Sequence, residues 1–257
     1  MIDNQPDTIL ITGATGAIGS ALAYYYAKPS VHLILQGRNK KQLKQVAERC
    51  WASGACVTEE QLDLCDRSAL TQWLDDLLAS SVPDLVFANA GMNIDTGAKA
   101  EGEVWRETEQ LLELNVRSTC YLAHRMAKAM REQGRGHLVL ISSLAAWFGL
   151  PVTPAYSASK AAVKAYGEGF KGWLEGSGVA VTVVMPGYVS SAMCHAMPGP
   201  KPFLWQPEKA AHFIANSVAK KRARVSFPFP LNWGCWWLAI LPAGISHKLV
   251  RLFGYGD

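Results

Sequence analysis

Short β-branched runs alternate with longer helical stretches along almost the whole of this 257-residue chain. No other feature limits the fold as much. Strands are expected at Thr8–Thr12, Val31–Gln36, Ala55–Asp63, Leu85–Ala88, His137–Ser142, Val179–Met185 and Arg224–Phe227. Helices are expected between them at Ala17–Lys28, Lys40–Ala52, Arg67–Ser80, Gly102–Glu132, Pro154–Glu175 and Pro207–Lys221. Strands joined through helices line up in parallel, with helices covering both faces of the sheet. Right-handed crossovers then favour a doubly wound, Rossmann-type α/β sheet. No Pro/Ser-rich linker or repeat divides the chain, whose length suits one large domain with a sizeable core.

The first strand runs straight into Gly13-Ala14-Thr15-Gly16-Ala17-Ile18-Gly19 and then the helical Ser20 to Lys28. Strand, glycine turn and helix in this order are what a dinucleotide site requires. Glycine lets the backbone turn tightly, and the helix N-terminus offers free N–H groups to a pyrophosphate. The second strand ends in Gly37-Arg38-Asn39. An acid there would bond the ribose 2′-hydroxyl of NAD and repel a 2′-phosphate. Gly37 with Arg38 instead supplies a planar cationic fork, which suits NADP, with NAD possible. Arg38 would equally serve as a solvated residue at a helix start.

Tyr156 and Lys160 stand four residues apart, and Ser143 lies thirteen residues before the tyrosine. On a helix, positions i and i+4 share a face, so the ammonium lies beside the phenol. A nearby cation lowers a phenol's pKa towards working pH, where a general acid is most effective. Ser143 closes a buried strand and would sit at its carboxyl end, where open α/β sheets bind ligands. A bare Tyr-x-x-x-Lys is also compatible with a surface helix, so the pattern gains its weight from the other segments.

Taken in order, these residues resemble the short-chain dehydrogenase/reductase family, in its short single-domain branch, from about Thr8 to Ala211. Asp63-Leu64, Asn89-Ala90-Gly91, Asn115, Ser142-Ser143 and Pro186-Gly187 complete the resemblance. It implies a strand order of 3-2-1-4-5-6-7 and catalysis by Asn115, Ser143, Tyr156 and Lys160. It also implies that Thr12, Gly13, Thr15, Gly16, Ala17, Ile18 and Gly19 surround the cofactor's phosphates, with Gly37 and Arg38 beyond them. Asp63 and Leu64 would contact adenine, and Asn89, Ala90 and Gly91 would line the ribose side. Pro186, Gly187, Val189 and Ser191 would flank the nicotinamide, while Tyr156 and Lys160 would also touch the cofactor. Asn115 would hold a water joining Lys160 to solvent, or else act as a buried amide bonding the backbone.

The sequence departs from the family pattern in two places. Gly13, Gly16 and Gly19 are spaced as in the longer, epimerase-type branch, with Ala17 where the short branch has a glycine. Retained binding with a slightly altered turn is expected. Ala88 stands where the family often has a further Asn, which would remove one hydrogen bond bracing the loop.

Function follows as hydride transfer between a nicotinamide and a carbonyl or secondary alcohol, with the protein supplying orientation and a proton. Alternatives are an NAD-linked alcohol dehydrogenase, a cofactor-binding sensor without catalysis, and a nucleotide-sugar epimerase. A lid is expected over 188–206, where Met193, Met197, Pro198, Phe203, Leu204 and Trp205 point to a hydrophobic substrate. Trp147, Phe148 and Leu150 point the same way, and all of these apolar residues would equally serve as packing.

Composition removes several other classes. A formal net charge of +4 is too mild to imply nucleic acid. The six cysteines form no Cys-x-x-Cys pair, and no metal-ligand cluster is evident. Reduced thiols fit a cytoplasmic protein. Met1 to Asp7 has neither a basic start nor an apolar stretch, so no signal peptide is expected. The catalytic domain is read as 1–228. Beyond it, 229–257 is an apolar tail carrying Trp233, Trp236, Trp237, Leu238, Ile240 and Leu241. Large apolar side chains so close together call for cover. A homodimer or homotetramer interface or a cover over the substrate pocket is expected, with peripheral membrane contact as the rival.

Overall fold

The computed structural model describes residues 6–97, 101–197 and 199–255. Met1–Gln5 at the N-terminus and Pro198 of the expected lid lie outside the described residues. Seven parallel strands form one sheet in the order 3-2-1-4-5-6-7, as the resemblance implied. They are β1 (Thr8–Ile11), β2 (His32–Gly37), β3 (Cys56–Gln61), β4 (Leu85–Ala88), β5 (Gly136–Ile141), β6 (Val179–Pro186) and β7 (Arg224–Phe227).

Alternate strand residues face opposite ways, and both faces are covered. Ile9, Ile11, Leu33, Leu35 and Phe87 pack beneath α1 (Ala17–Tyr26), α2 (Lys40–Ala52) and α8 (Pro207–Ala219). Leu10, Ile34, Val86, Leu138 and Leu140 pack beneath α3 (Arg67–Ser80), α5 (Thr119–Gln133) and α6 (Pro154–Trp173). Caps mark the helix starts that sequence places well. Asn39 accepts from Gln42 N at α2, and Asp66 accepts from Ser68 N and Ala69 N at α3.

One expected helix is three segments. In place of Gly102–Glu132 stand α4 (Trp105–Leu112), a π-helical turn (Glu113–Ser118) and α5. The Ser118 hydroxyl lies between the Leu64 and Glu113 carbonyls, at 2.7 and 2.8 Å, and Thr119 Oγ1 bonds Leu114 O. Those hydroxyls hold carbonyls five residues back or on a neighbouring loop, which stabilises the wider turn.

After β6 come α7 (Ala192–Ala196) and α8; after β7 come α9 (Leu231–Ile240) and α10 (Ala243–Leu252). Pro230 and Pro242 stand at the N-caps of the last two helices, dividing the apolar tail into a helical hairpin. Among the described residues, no helix is long and apolar enough to cross a membrane.

Candidate active site

A cavity of about 1590 Å³ opens at the carboxyl ends of the strands. Its floor is the glycine turn. Gly13 has φ +62, and a side chain there would meet the Ala90 backbone at 2.8 Å. A Cβ on Gly19 would stand 2.3 Å from Gly13 O, so both positions need glycine for close approach. Gly16 is the N-cap of α1 without a side-chain cap, and Ala17 and Ile18 of its first turn line the cavity. The free amides of that turn therefore face it.

The turn is braced from three sides. Thr12 Oγ1 accepts from Asn89 N at 3.0 Å and Ala90 N at 3.2 Å, while Asn89 Nδ2 donates to Thr12 O and Gly13 O. Thr12 and Gly19 thus support the cavity without lining it, whereas Gly13, Thr15, Gly16, Asn89, Ala90 and Gly91 form its wall. The third brace was missed in the sequence. Gln36 is buried, donates to Leu62 O at 2.8 Å and accepts from Gly13 N at 3.1 Å. A lone amide ending an apolar strand was its signal.

Gly37 and Arg38 line the far end, next to Asn39 and Gln42, which sequence reasoning also missed. Arg38 Nη1 lies 3.8 Å from Asp63 Oδ2, with both side chains largely exposed. Leu64 joins the cavity wall. Asp63 turns instead to Arg38 and accepts from Cys65 N.

Ser143, Tyr156 and Lys160 meet on the opposite wall. Ser143 Oγ accepts from Ala145 N at 3.1 Å, which leaves its own proton to donate. Lys160 is buried, and its ammonium donates to Ile141 O at 3.1 Å. It stands 5.6 Å from the centre of the Tyr156 ring.

The expected electrostatics differ in one respect. Burial raises the Tyr156 pKa; the Ser143 hydroxyl pulls it down and Cys194 adds to the rise. The net shift is thus upward, opposite to the lowering expected from Lys160, because burial is the largest cause. Burial also holds the lysine itself down at about 8.

Asn115 lies in the π-helical turn and is buried. Its amide donates to Met92 O and Ser159 Oγ and accepts from Met92 N, at 2.9 to 3.0 Å. The side chain thus braces the loop after β4 against α6. A Cβ on Gly91 would meet both Asn115 Oδ1 at 3.2 Å and Lys160 Nζ at 3.3 Å, so these two groups flank one glycine.

The upper wall comes from the lid and the tail. Pro186, Gly187, Val189 and Ser191 lead into it, and Ser191 Oγ accepts from Cys194 N to start α7. Met193, Met197 and Phe203 line the cavity as the lid reading expected. Trp205 does not. It bridges back to Val189 and stacks on Phe227 at 4.9 Å, anchoring the base of the lid in the core. Trp147 is likewise absent from the wall; it lies between Lys164 and Arg224, 4.6 and 5.1 Å from its ring, while Phe148 and Leu150 line the cavity.

From the tail, Leu231, Gly234, Cys235 and Leu238 on α9 and Val250 on α10 close the roof. Tyr255 ties roof to lid: Tyr188 donates to its hydroxyl at 2.8 Å, and it donates in turn to Pro200 O.

With this geometry in view, a family model described as short chain dehydrogenase matches residues 7–199. The chain is a short-chain dehydrogenase. As such it is an oxidoreductase, and its six cysteines are free thiols. An uncharacterized oxidoreductase of Myxococcus xanthus is 34% identical over 245 residues, covering 95% of this chain and 96% of that protein. An NADP-dependent 3-hydroxy acid dehydrogenase of Salmonella typhi is 27% identical over 247 residues, covering 95% and 93%. The short-chain dehydrogenase of Sphingobium yanoikuyae, solved in complex with NADPH, shares the fold. It has a TM-score of 0.80 and 24% identity, with 95% of each chain covered.

Proposed function

We propose that this short-chain dehydrogenase uses NADP(H) to interconvert a carbonyl and a secondary alcohol on a hydrophobic small molecule, with Tyr156 as the acid. One observation carries the reading: the glycine turn, Arg38 and the Ser143–Tyr156–Lys160 group line the same cavity. The donor set fits the cofactor. A glycine cradle with no room for a Cβ faces the first turn of α1, where a pyrophosphate is bound best. Arg38, beside the side-chain-free Gly37, offers its fork to a 2′-phosphate. Asp63 holds that fork loosely until then. The NADP dependence of the Salmonella typhi relative supports the same choice.

When bound, the nicotinamide supplies or accepts the hydride. The chain does the rest. Ser143 donates to the carbonyl oxygen and fixes its position. Tyr156, whose proton burial retains at neutral pH, passes it to that oxygen as negative charge develops. Lys160 presents its ammonium from the side of Ile141 and orients the ribose. Asn115 holds the loop at Met92, next to Gly91, where the absence of a side chain leaves room for the Lys160 ammonium. The roof and lid keep water from the reacting atoms.

Purified protein given a panel of hydrophobic ketones should oxidise NADPH faster than NADH. Preference for NADH across the panel would overturn the cofactor assignment, and inertness towards every carbonyl and alcohol would overturn the reaction.

A further inference from the structure

Apart from Asn232, whose amide donates to Ser226 O and Oγ, helix α9 is apolar all round, and no residue of it is fully buried. Leu231, Gly234, Cys235 and Leu238 form the stripe that lines the cavity. The opposite stripe, at helical spacing, is Trp233, Trp236, Trp237 and Ile240, with Trp233 61% and Trp237 50% exposed. Phe229 and Phe253, 73% and 63% exposed, continue it, and so does Phe203 of the lid. Phe203, Phe229, Trp233 and Phe253 also line the cavity. The cavity mouth is therefore an exposed aromatic rim. A helix apolar on every side belongs in a core or against lipid, and a rim of this size is not left in water.

Charge identifies the occupant. Of the eight Lys and Arg from Gly176 to Asp257, Lys220, Lys221, Arg222 and Arg224 lie at the amino end of β7, away from the cavity mouth, while Lys201 of the lid and Lys248 and Arg251 of α10 belong to the elements that form the roof. On α10, Lys248 shares one exposed stripe with Ile245 and Leu252, and Arg251 stands one turn from Lys248. Among the described residues, no carboxylate pairs with either cation. Tryptophan and phenylalanine bordered by cations suit the headgroup region of an anionic bilayer. A second copy on a two-fold axis would set these cations against their own counterparts.

We propose that this rim docks on an anionic lipid surface, so that a lipophilic carbonyl substrate enters the cavity from the acyl layer without crossing water. The entry step rests on the function proposed above; the docking does not.

The test uses the full chain and two double variants remote from the cavity wall, Trp237→Ser with Ile240→Ser and Lys248→Glu with Arg251→Glu. Binding to phosphatidylcholine vesicles, with and without phosphatidylserine, is measured by sedimentation. The full chain should bind the phosphatidylserine vesicles, and each double variant should bind about tenfold less or weaker. KM for a long-chain ketone delivered in those vesicles should rise in both variants, while KM for a water-soluble ketone stays unchanged. Absence of vesicle binding, or binding that neither variant weakens, would overturn the proposal. So would a dimer that only the Trp237→Ser, Ile240→Ser variant dissolves, since a second copy would then cover the rim. Vesicle binding that follows the variants, in a protein inert towards all ketones, would uphold docking and remove the function alone.

Discussion

The cofactor side and the roof of one cavity are built by opposite means. On the cofactor side, backbone is held by buried polar side chains: Thr12, Gln36, Asn89 and Asn115 each bond main-chain atoms of a neighbouring segment. The roof is α9, α10 and the lid, packed through apolar side chains and clasped by the Tyr188–Tyr255 pair. Polar braces fix atoms to within a hydrogen bond, whereas apolar contact is non-directional and tolerates repacking. The first design suits a shared cofactor; the second suits a substrate that differs from one protein to the next.

The sharpest way to break this contrast is at Tyr156. Tyr156→Phe keeps the ring and removes the proton donor, so turnover should fall about 10²- to 10⁴-fold with NADPH affinity unchanged. Cofactor binding by fluorescence, alongside steady-state rates, checks both halves. Turnover close to that of the unaltered protein would mean that the cofactor wall is not where chemistry occurs.

Arg38→Ala comes next. It removes a charge-assisted contact of roughly 1.5–3 kcal/mol, which is about one to two decades in affinity. NADPH should weaken by that amount and NADH hardly at all. Equal weakening of the two would show that Arg38 shapes the site generally without reading a phosphate.

Lys160 offers a test in pH. Burial holds its pKa at about 8, below the ordinary 10.5, so the ammonium is present below about pH 8 and is lost above it. Carbonyl reduction should fall about fivefold between pH 8 and 9 if the charge is required. Stability runs the other way. Between pH 8 and 10.5 the unfolded chain binds the proton that the folded chain has released, so this group's contribution to stability rises with pH. The stability difference between the wild type and Lys160→Met, followed by denaturant titration, should therefore move in favour of the wild type over that window. A flat difference would place Lys160 in an environment less buried than the structure gives it.

The smallest effect belongs to the roof. Tyr255→Phe removes the hydroxyl that joins Tyr188 to Pro200. A neutral hydrogen bond is worth about 0.5–1.5 kcal/mol, so KM for the ketone should rise roughly threefold to tenfold. NADPH affinity should not move. A matching loss of NADPH affinity would show that roof and cofactor side are coupled after all.

The same contrast explains what could be read from sequence. Strand and helix periods placed every strand of the sheet: the inner strands, buried on both faces, need a continuous apolar run, while the exposed edge strand β3 is set by its place between two helices. The glycine turn was legible because two of its demands are local: Gly13 has a left-handed φ, and Gly19 packs on Gly13 O. Gln36, Asn39 and Gln42 were not, since their roles depend on which strand end lies beside the turn. The π-helical turn at Glu113–Ser118 was hidden for the same reason: it depends on Leu64 and Met92, far off in sequence. Trp147 and Trp205 could be read from sequence either as substrate contacts or as packing residues, and both pack. An indole at a strand end looks alike whether it faces a cavity or two cations, or, as with Trp205, the core. In the tail, sequence demanded cover for the tryptophans without showing that α9 divides them between a cavity stripe and an outward one.

The position of α9 after the strands it packs on also bears on biosynthesis. Domains form from the N-terminus as the chain leaves the ribosome. This helix emerges after β5 and β6, whose segments carry Leu144 and Met185, the buried groups against which Leu231 and Cys235 pack. Its inward stripe thus meets a wall whose segments have already emerged.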